Sequence, residues 1–128
     1  MTDCIFCKIV KGEIPAAKIW ENRDFVAFLD MNSIKEGHTL LIPKKHSNYM
    51  FDLSDRDYVE LMLQAKLVAK KLKDKLNPEK IGMLVEGFAI PHVHIHLVPI
   101  NHAGELDFNK AKPKSAEELN KTAEKIRN

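Results

Sequence analysis

Three histidines occupy alternate positions in one short stretch, Ile90-Pro91-His92-Val93-His94-Ile95-His96-Leu97-Val98-Pro99. The residues between and after them are β-branched or apolar, as a strand requires. In a strand, side chains i, i+2 and i+4 point to the same face. His92, His94 and His96 therefore form one row, with Val93, Ile95 and Leu97 packed behind it. A row of imidazoles makes a poor core. It suits nucleophiles, acids or metal ligands that work near neutral pH. The plainer alternative is the solvated polar face of a His-rich edge strand.

The length of the row limits its chemistry. At roughly 3.3 Å per residue, the Cα atoms of His92 and His96 stand about 13 Å apart. Zinc binds imidazole nitrogen at about 2.0–2.1 Å. A single ion held by all three is disfavoured, and a division of labour is expected.

The rest of the chain frames this row. Its 128 residues suit one domain, 1–128, with a single core. It is 45% hydrophobic and 30% charged, an ordinary globular composition. The net charge of +2 gives no argument for a nucleic-acid or membrane partner. No apolar run approaches the ~20 residues of a membrane span. The first residues, with Asp3 and Cys4, lack the charged and apolar regions of a signal peptide, so a cytoplasmic location is expected.

Residues 4–11 read as a short helix or turn carrying both cysteines. Lys18 to Glu21 and Phe25 to Leu29 read as strands joined at Asn22-Arg23-Asp24, a turn-rich link. Residues 30–37 form a polar loop ending in Gly37, and His38 to Pro43 is a third strand. Ser54 or Asp55 caps a long helix. That helix places Tyr58, Leu61, Met62, Ala65, Val68, Ala69, Leu72 and Leu76 on one stripe. Asn77-Pro78 ends it, because proline disfavours helical geometry in the residue before it. Lys80 to Glu86 is a fourth strand and the triad a fifth. Residues 115–127 read as a charged C-terminal helix capped by Ser115, with Leu119, Ala123 and Ile126 on one side. Runs of strands with segregated helices predict an α+β fold on an antiparallel sheet.

Cys4-Ile5-Phe6-Cys7 is a C-x2-C pair, close enough to grip one ion from a single turn. A thioredoxin-like redox pair follows a strand in a βαβ unit, which the N-terminal placement argues against. A disulfide is disfavoured in a reducing cytoplasm. Two unconnected cysteines remain the plain alternative.

Three blocks, in order from Cys4 to about Pro99, resemble the histidine triad family. His92-Val-His94-Ile-His96-Leu-Val carries its signature. Phe28 to Ser33 followed by Gly37-His38-Thr39-Leu40-Leu41-Ile42-Pro43-Lys44-Lys45-His46 resembles its central hairpin. Cys4 to Pro15 resembles the opening of its bacterial members. The resemblance implies a five-stranded antiparallel sheet with one long helix and a C-terminal helix. It implies a homodimer whose sheets join, and a purine nucleotide as substrate.

It also implies roles. His94 attacks the α-phosphorus of a nucleotide, a covalent nucleotidyl-imidazole forms, and water hydrolyses it. The other ring nitrogen of His94 is held by a backbone carbonyl of the triad strand. His96 faces the phosphate oxygens with a hydrogen bond or a proton, and His38 supports the triad. In zinc-bearing members, and in the related galactose-1-phosphate uridylyltransferases, the positions of Cys4, Cys7, His46 and His92 hold a structural zinc. Asp30 binds the ribose hydroxyls. Phe6, Ile9, Phe28 and Leu29 are candidates for the base pocket and equally for plain core. His38 as a loop histidine and Asp30 as a turn residue are the plain alternatives for those two.

The chain departs from the family before the triad. Common nucleotide hydrolases of the family carry a Gly-rich loop there, with Gly-Gln-Ser or Gly-Gln-Thr. Here the segment is Val85-Glu86-Gly87-Phe88-Ala89-Ile90-Pro91, and Ala89 stands where the hydroxyl would be. Backbone amides of Gly87 to Ala89 remain as phosphate donors. Asn32-Ser33 also replaces the usual Asn-Pro. Two readings follow: a nucleotidyl hydrolase of the phosphoramidase type, or a nucleotide-binding or zinc-stapled interaction protein with little catalysis.

Overall fold

The computed structural model describes residues 4–128. Asp3, part of the leading stretch considered for a signal segment, lies outside the described residues. The elements in chain order are α1 (Ile5–Val10), β1 (Lys18–Glu21), β2 (Phe25–Leu29), β3 (Asn32–Ser33), β4 (Thr39–Pro43), α2 (Asp55–Leu76), β5 (Lys80–Leu84), β6 (Ile95–Ile100), β7 (Lys112–Pro113) and α3 (Ala116–Arg127). Single 3-10 turns stand at Met50–Asp52 and Phe108–Lys110.

Five strands form one antiparallel sheet in the order β1-β2-β4-β6-β5. This is the α+β architecture expected from the sequence. Local chemistry sets its corners. Asn22 Oδ1 accepts from the backbone N–H groups of Asp24 and Phe25 and closes the β1–β2 turn. Ser54 caps α2 by accepting from Asp57 N, and Asn77 ends it in the left-handed conformation just before Pro78. Ser115 and Glu118 form a reciprocal capping box at the start of α3.

The sheet buries both faces. Leu61, Ala65, Val68 and Leu72 of α2, with Leu119, Ala123 and Ile126 of α3, pack against Phe25, Ala27, Leu29, Leu41, Val93, Ile95 and Leu97. On the opposite face, Val26, Phe28, Leu40 and Ile42 lie under Phe6 and Ile9 of α1. β2 therefore reads as an unbroken apolar run and is buried at every position. The triad's intervening residues face the helices, which leaves the imidazoles for the α1 side.

The structure corrects three boundaries. The third strand begins at Thr39 rather than His38, and the fourth ends at Leu84 rather than Glu86. The fifth runs from Ile95 to Ile100, so only His96 of the triad lies within it. The cause is Pro43. Leu41 pairs with Ile95, and two positions further along this register Val93 would face Pro43, which has no N–H to give. Val93 N donates to Ser47 O instead, at 2.7 Å. His92 and His94 thus occupy a lead-in, bent at Pro91 and His92, that keeps the alternation but leaves the ladder.

The stretch expected as a plain polar loop also holds structure. Asn32 and Ser33 pair with Pro113 and Lys112, a two-residue ladder too short for periodicity to reveal. It ties the loop after β2 to the segment that leads into α3.

Candidate functional site

The three triad rings serve two places. His92 and His94 ring planes both meet Phe6 edge-on, with centroids at 5.9 and 5.2 Å. Beyond that shared contact they diverge: His92 joins the cysteines, and His94 and His96 stand together with centroids 5.1 Å apart.

The first place is a Cys2His2 corner. Cys4 is the N-cap of α1, its Sγ accepting from Cys7 N, so one helical turn presents both sulfurs. His92 Nδ1 lies 3.4 Å from Cys4 Sγ and 3.6 Å from Cys7 Sγ. His46 Nδ1 lies 3.2 Å from Cys7 Sγ. A tetrahedral zinc with sulfur at about 2.3 Å and nitrogen at about 2.0–2.1 Å has sulfur–nitrogen edges of about 3.5 Å. The observed separations match that figure. The second shell fits as well: His92 Nε2 donates to the carbonyl of Pro43 at 2.8 Å, which leaves the Nδ1 lone pair toward the sulfurs. Burial, the largest cause, lowers the His92 pKa and favours the neutral ring a metal needs. Burial first, and then the neighbouring Cys4, raise the Cys7 thiol. A dication supplies the charge that holds both sulfurs as thiolates. The four residues fit a structural zinc.

The second place opens into a cavity of about 640 Å³. His94 Nδ1 lies 2.7 Å from the carbonyl oxygen of His92. A carbonyl only accepts, so Nδ1 carries the proton and Nε2 keeps a free lone pair. The backbone N–H of Ile34 donates to His38 Nδ1 at 3.0 Å. His38 therefore carries its proton on Nε2, which lies 2.9 Å from His96 Nδ1. His96 accepts there and carries its own proton on Nε2. One backbone donor thus sets two tautomers in series. The result is a nucleophilic nitrogen on His94 beside a hydrogen-bond donor on His96.

Asp30, His38 and His96 also stand close enough to share an ion. The hydrogen bond from Ile34 argues against that use. With Nδ1 already accepting a proton, His38 could bind a metal through Nε2 only as an imidazolate. Asp30 Oδ2 lies 3.6 Å from His38 Nε2 and acts as a nearby negative charge instead.

Burial keeps these rings neutral. Desolvation, with help from the neighbouring His38 and His94, lowers the His96 pKa to about 3. Desolvation also lowers His38, against the pull of Asp30.

The cavity collects the other expected residues. Phe6, Ile9, Phe28 and Leu29 line it, as do Asp30, Gly87 and Ala89. The four apolar side chains are also core: all are buried. Gly87 adopts φ +86°, a left-handed turn that suits glycine, and neither it nor Ala89 brings a side-chain donor. His38 does not line the cavity; it sits fully buried behind His96. Phe108, Asn32, Lys114 and Asn120 line the cavity without having been legible in the sequence. The one available signal was Phe108 itself, an aromatic within the polar run from Asn101 to Ser115.

A HIT domain family model matches residues 11–103. The chain belongs to the histidine triad family. An uncharacterised HIT-like protein of Mycoplasma genitalium is 40% identical, with 91% of this chain and 89% of the relative covered. The adenosine 5′-monophosphoramidase of Schizosaccharomyces pombe is 40% identical over 75% of this chain and 73% of its own length. Among solved structures, a HIT-like protein of Bartonella henselae superposes with TM-score 0.87 at 27% identity, over 99% of this chain and 96% of that one. The family and its fold agree with the resemblance read from the three blocks. Among the described residues, no helix is long and apolar enough to cross a membrane.

The tautomers are testable in the ligand-free protein. Nitrogen-15 NMR at pH 7 should find His94 protonated on Nδ1, and His38 and His96 on Nε2. At pH 5 a free imidazole is mostly cationic, whereas His96 should remain neutral. A folded-state pKa below the unfolded value makes the unfolded chain take the proton first. Stability from this group is therefore complete above about pH 6.5 and is lost as pH falls toward 3. A proton on His96 Nδ1 at pH 7 would contradict the chain of donors.

Proposed function

We propose that this chain is a nucleotide hydrolase of the phosphoramidase type, acting on a purine nucleoside phosphoramidate or a related nucleotidyl substrate. The observation that carries the reading is the free Nε2 lone pair of His94, held in a cavity by the His92 carbonyl beside the donor of His96. The family relationship and the yeast phosphoramidase relative support this reaction class.

In this reading the base lies among Phe6, Ile9, Phe28 and Leu29, and the Asp30 carboxylate accepts the ribose hydroxyls. His94 Nε2 attacks the α-phosphorus and a P–N bond to the enzyme forms. The bond to the leaving amine breaks, and the amine departs with the electron pair and takes a proton from solvent. His96 donates its Nε2–H to a phosphoryl oxygen as charge develops. Its depressed pKa favours this hydrogen bond over proton donation. Water then attacks the phosphorus, His94 leaves neutral, and the nucleoside monophosphate is released. The absence of a side-chain donor at Ala89 fits slow turnover, since one such donor is commonly worth about 10²–10³ in rate. It also gives the rival reading, a nucleotide-binding protein with little catalysis, its main support.

His94→Ala should lower turnover of adenosine phosphoramidate about 10³-fold or more at equal folded fraction. In a crystal soaked with adenosine monophosphate, the phosphate should lie beside His94 and the ribose on Asp30. Equal rates for the two proteins, or phosphate bound elsewhere, would refute the assignment.

Zinc in the Cys2His2 corner belongs to the same proposal. It would fasten α1, and with it Phe6 and Ile9, to the lead-in of the triad; with four protein ligands it leaves no place for water. Elemental analysis should give one zinc per chain, and Cys4→Ser should lose it together with thermal stability. Full metal content in Cys4→Ser would sink the ligand set.

We also place a second copy of the chain along β5. Among the described residues the outer edge of β5 has no partner strand, and α2 exposes Val59, Leu63 and Leu67 at i, i+4 and i+8. Joining two sheets there would cover both features. Sedimentation equilibrium should report twice the chain mass, and Leu63→Glu should restore the single-chain mass. A wild-type protein that sediments as one chain would remove this element.

A further inference from the structure

The segment from Asn101 to Lys114 supplies no group to the proposed reaction, yet it passes directly over the histidines. It is fastened at both ends. Glu105 pairs with Lys35 and accepts from the backbone N–H groups of Asn101 and His102. Lys112 and Pro113 pair with β3, and Lys114 N donates to Met31 O at 2.8 Å. Between these anchors Asp107 caps a single 3-10 turn by accepting from Asn109 N. That turn delivers Phe108. Its ring meets His96 at 4.7 Å and 66°, and lies near-parallel to His38 at 6.4 Å and 28°.

We propose that Phe108 is a positioning residue: its ring walls the His38–His96 pair off from water and fixes the direction in which His96 Nε2–H is offered to the cavity. The catalytic part of this inference rests on the role given to His96 under the proposed function.

The need for such a wall follows from the hydrogen bonding. Among the described residues His96 is held by one side-chain hydrogen bond, from His38 to Nδ1, and a single bond leaves the ring free to swing about it. A ring packed edge-to-face removes that freedom without competing for the Nε2 proton. Water in the same place would accept that proton and favour the charged ring. The titratable groups around His96 are His38 just before β4, His94 on its own lead-in, Asp30 behind His38, and Glu86 and Lys114 on the cavity wall. Phe108 is the uncharged aromatic ring in direct contact with both His96 and His38. Misplacing a reacting group by about 1 Å costs on the order of 10²-fold in rate.

The test compares Phe108→Ala with Phe108→Leu in the full chain. The Lys35–Glu105 pair and the β3–β7 ladder do not involve Phe108, so the segment should stay in place. In ligand-free Phe108→Ala, nitrogen-15 NMR should show His96 titrating at least about one pH unit higher than in wild type. The acid limb of its kcat profile should rise with it. kcat should fall about 10- to 100-fold with KM changed by less than about threefold. Phe108→Leu restores apolar volume and should return His96 close to its wild-type titration and recover most of kcat. An unchanged His96 titration in Phe108→Ala overturns the proposal, as does a Phe108→Leu protein that behaves like Phe108→Ala. If Phe108→Ala does not fold, Phe108→Leu decides alone: titration near the wild-type value supports the proposal, and titration near that of a free imidazole overturns it. The NMR arm needs no substrate. A wild-type protein without turnover would refute the hydrolase reading and leave this test intact.

Discussion

The missing N–H of Pro43 organises the site. It stops the β4–β6 ladder at Leu41 and Ile95, one step before the first two triad histidines. The same residue's carbonyl then takes the Nε2 proton of His92. Freed from the ladder, the lead-in spends its backbone differently: Val93 N goes to Ser47 O, and the His92 carbonyl goes to His94 Nδ1. A continuous strand would have committed those groups to the sheet. The break is what lets one row of histidines line both the Cys2His2 corner and the cavity.

Direction is the second constraint. Imidazole has two nitrogens and, when neutral, one proton, so each hydrogen bond at one nitrogen dictates the other. Carbonyls at His92 and Pro43 fix His94 and His92. The N–H of Ile34 fixes His38, and through it His96. Burial keeps His38, His92 and His96 neutral, because a charged ring would lose solvation, and at His38 more than Asp30 returns. A site assembled this way needs no reorganisation to present a lone pair beside a donor.

The cavity around that pair comes from parts far apart in the chain. α1 provides an apolar wall through Phe6 and Ile9, β2 provides Phe28 and the loop after it Asp30, and the segment after β6 closes the side nearest His96. The Cys2His2 corner ties the first of these to the triad, and the β3–β7 pair ties the last to the loop that holds Asp30.

The sequence by itself determined the alternation of His92, His94 and His96, because strand geometry allows little else for that pattern. It determined the α2 stripe from Tyr58 to Leu76 and the caps at Ser54 and Ser115, since these depend on helical spacing and on side chains near in the chain. The pairing of Cys4 and Cys7 with His46 and His92 was legible only through family resemblance; the structure supplied the distances. Only the tertiary structure decided where the fifth strand begins, because that depends on a proline in another strand. It alone decided the tautomers, which are set by backbone groups of Ile34, Pro43 and His92 that every sequence possesses. It alone brought Phe108 to His96, because a single aromatic in a polar segment carries no period, and its place is fixed by contacts made at Lys35, Met31 and β3.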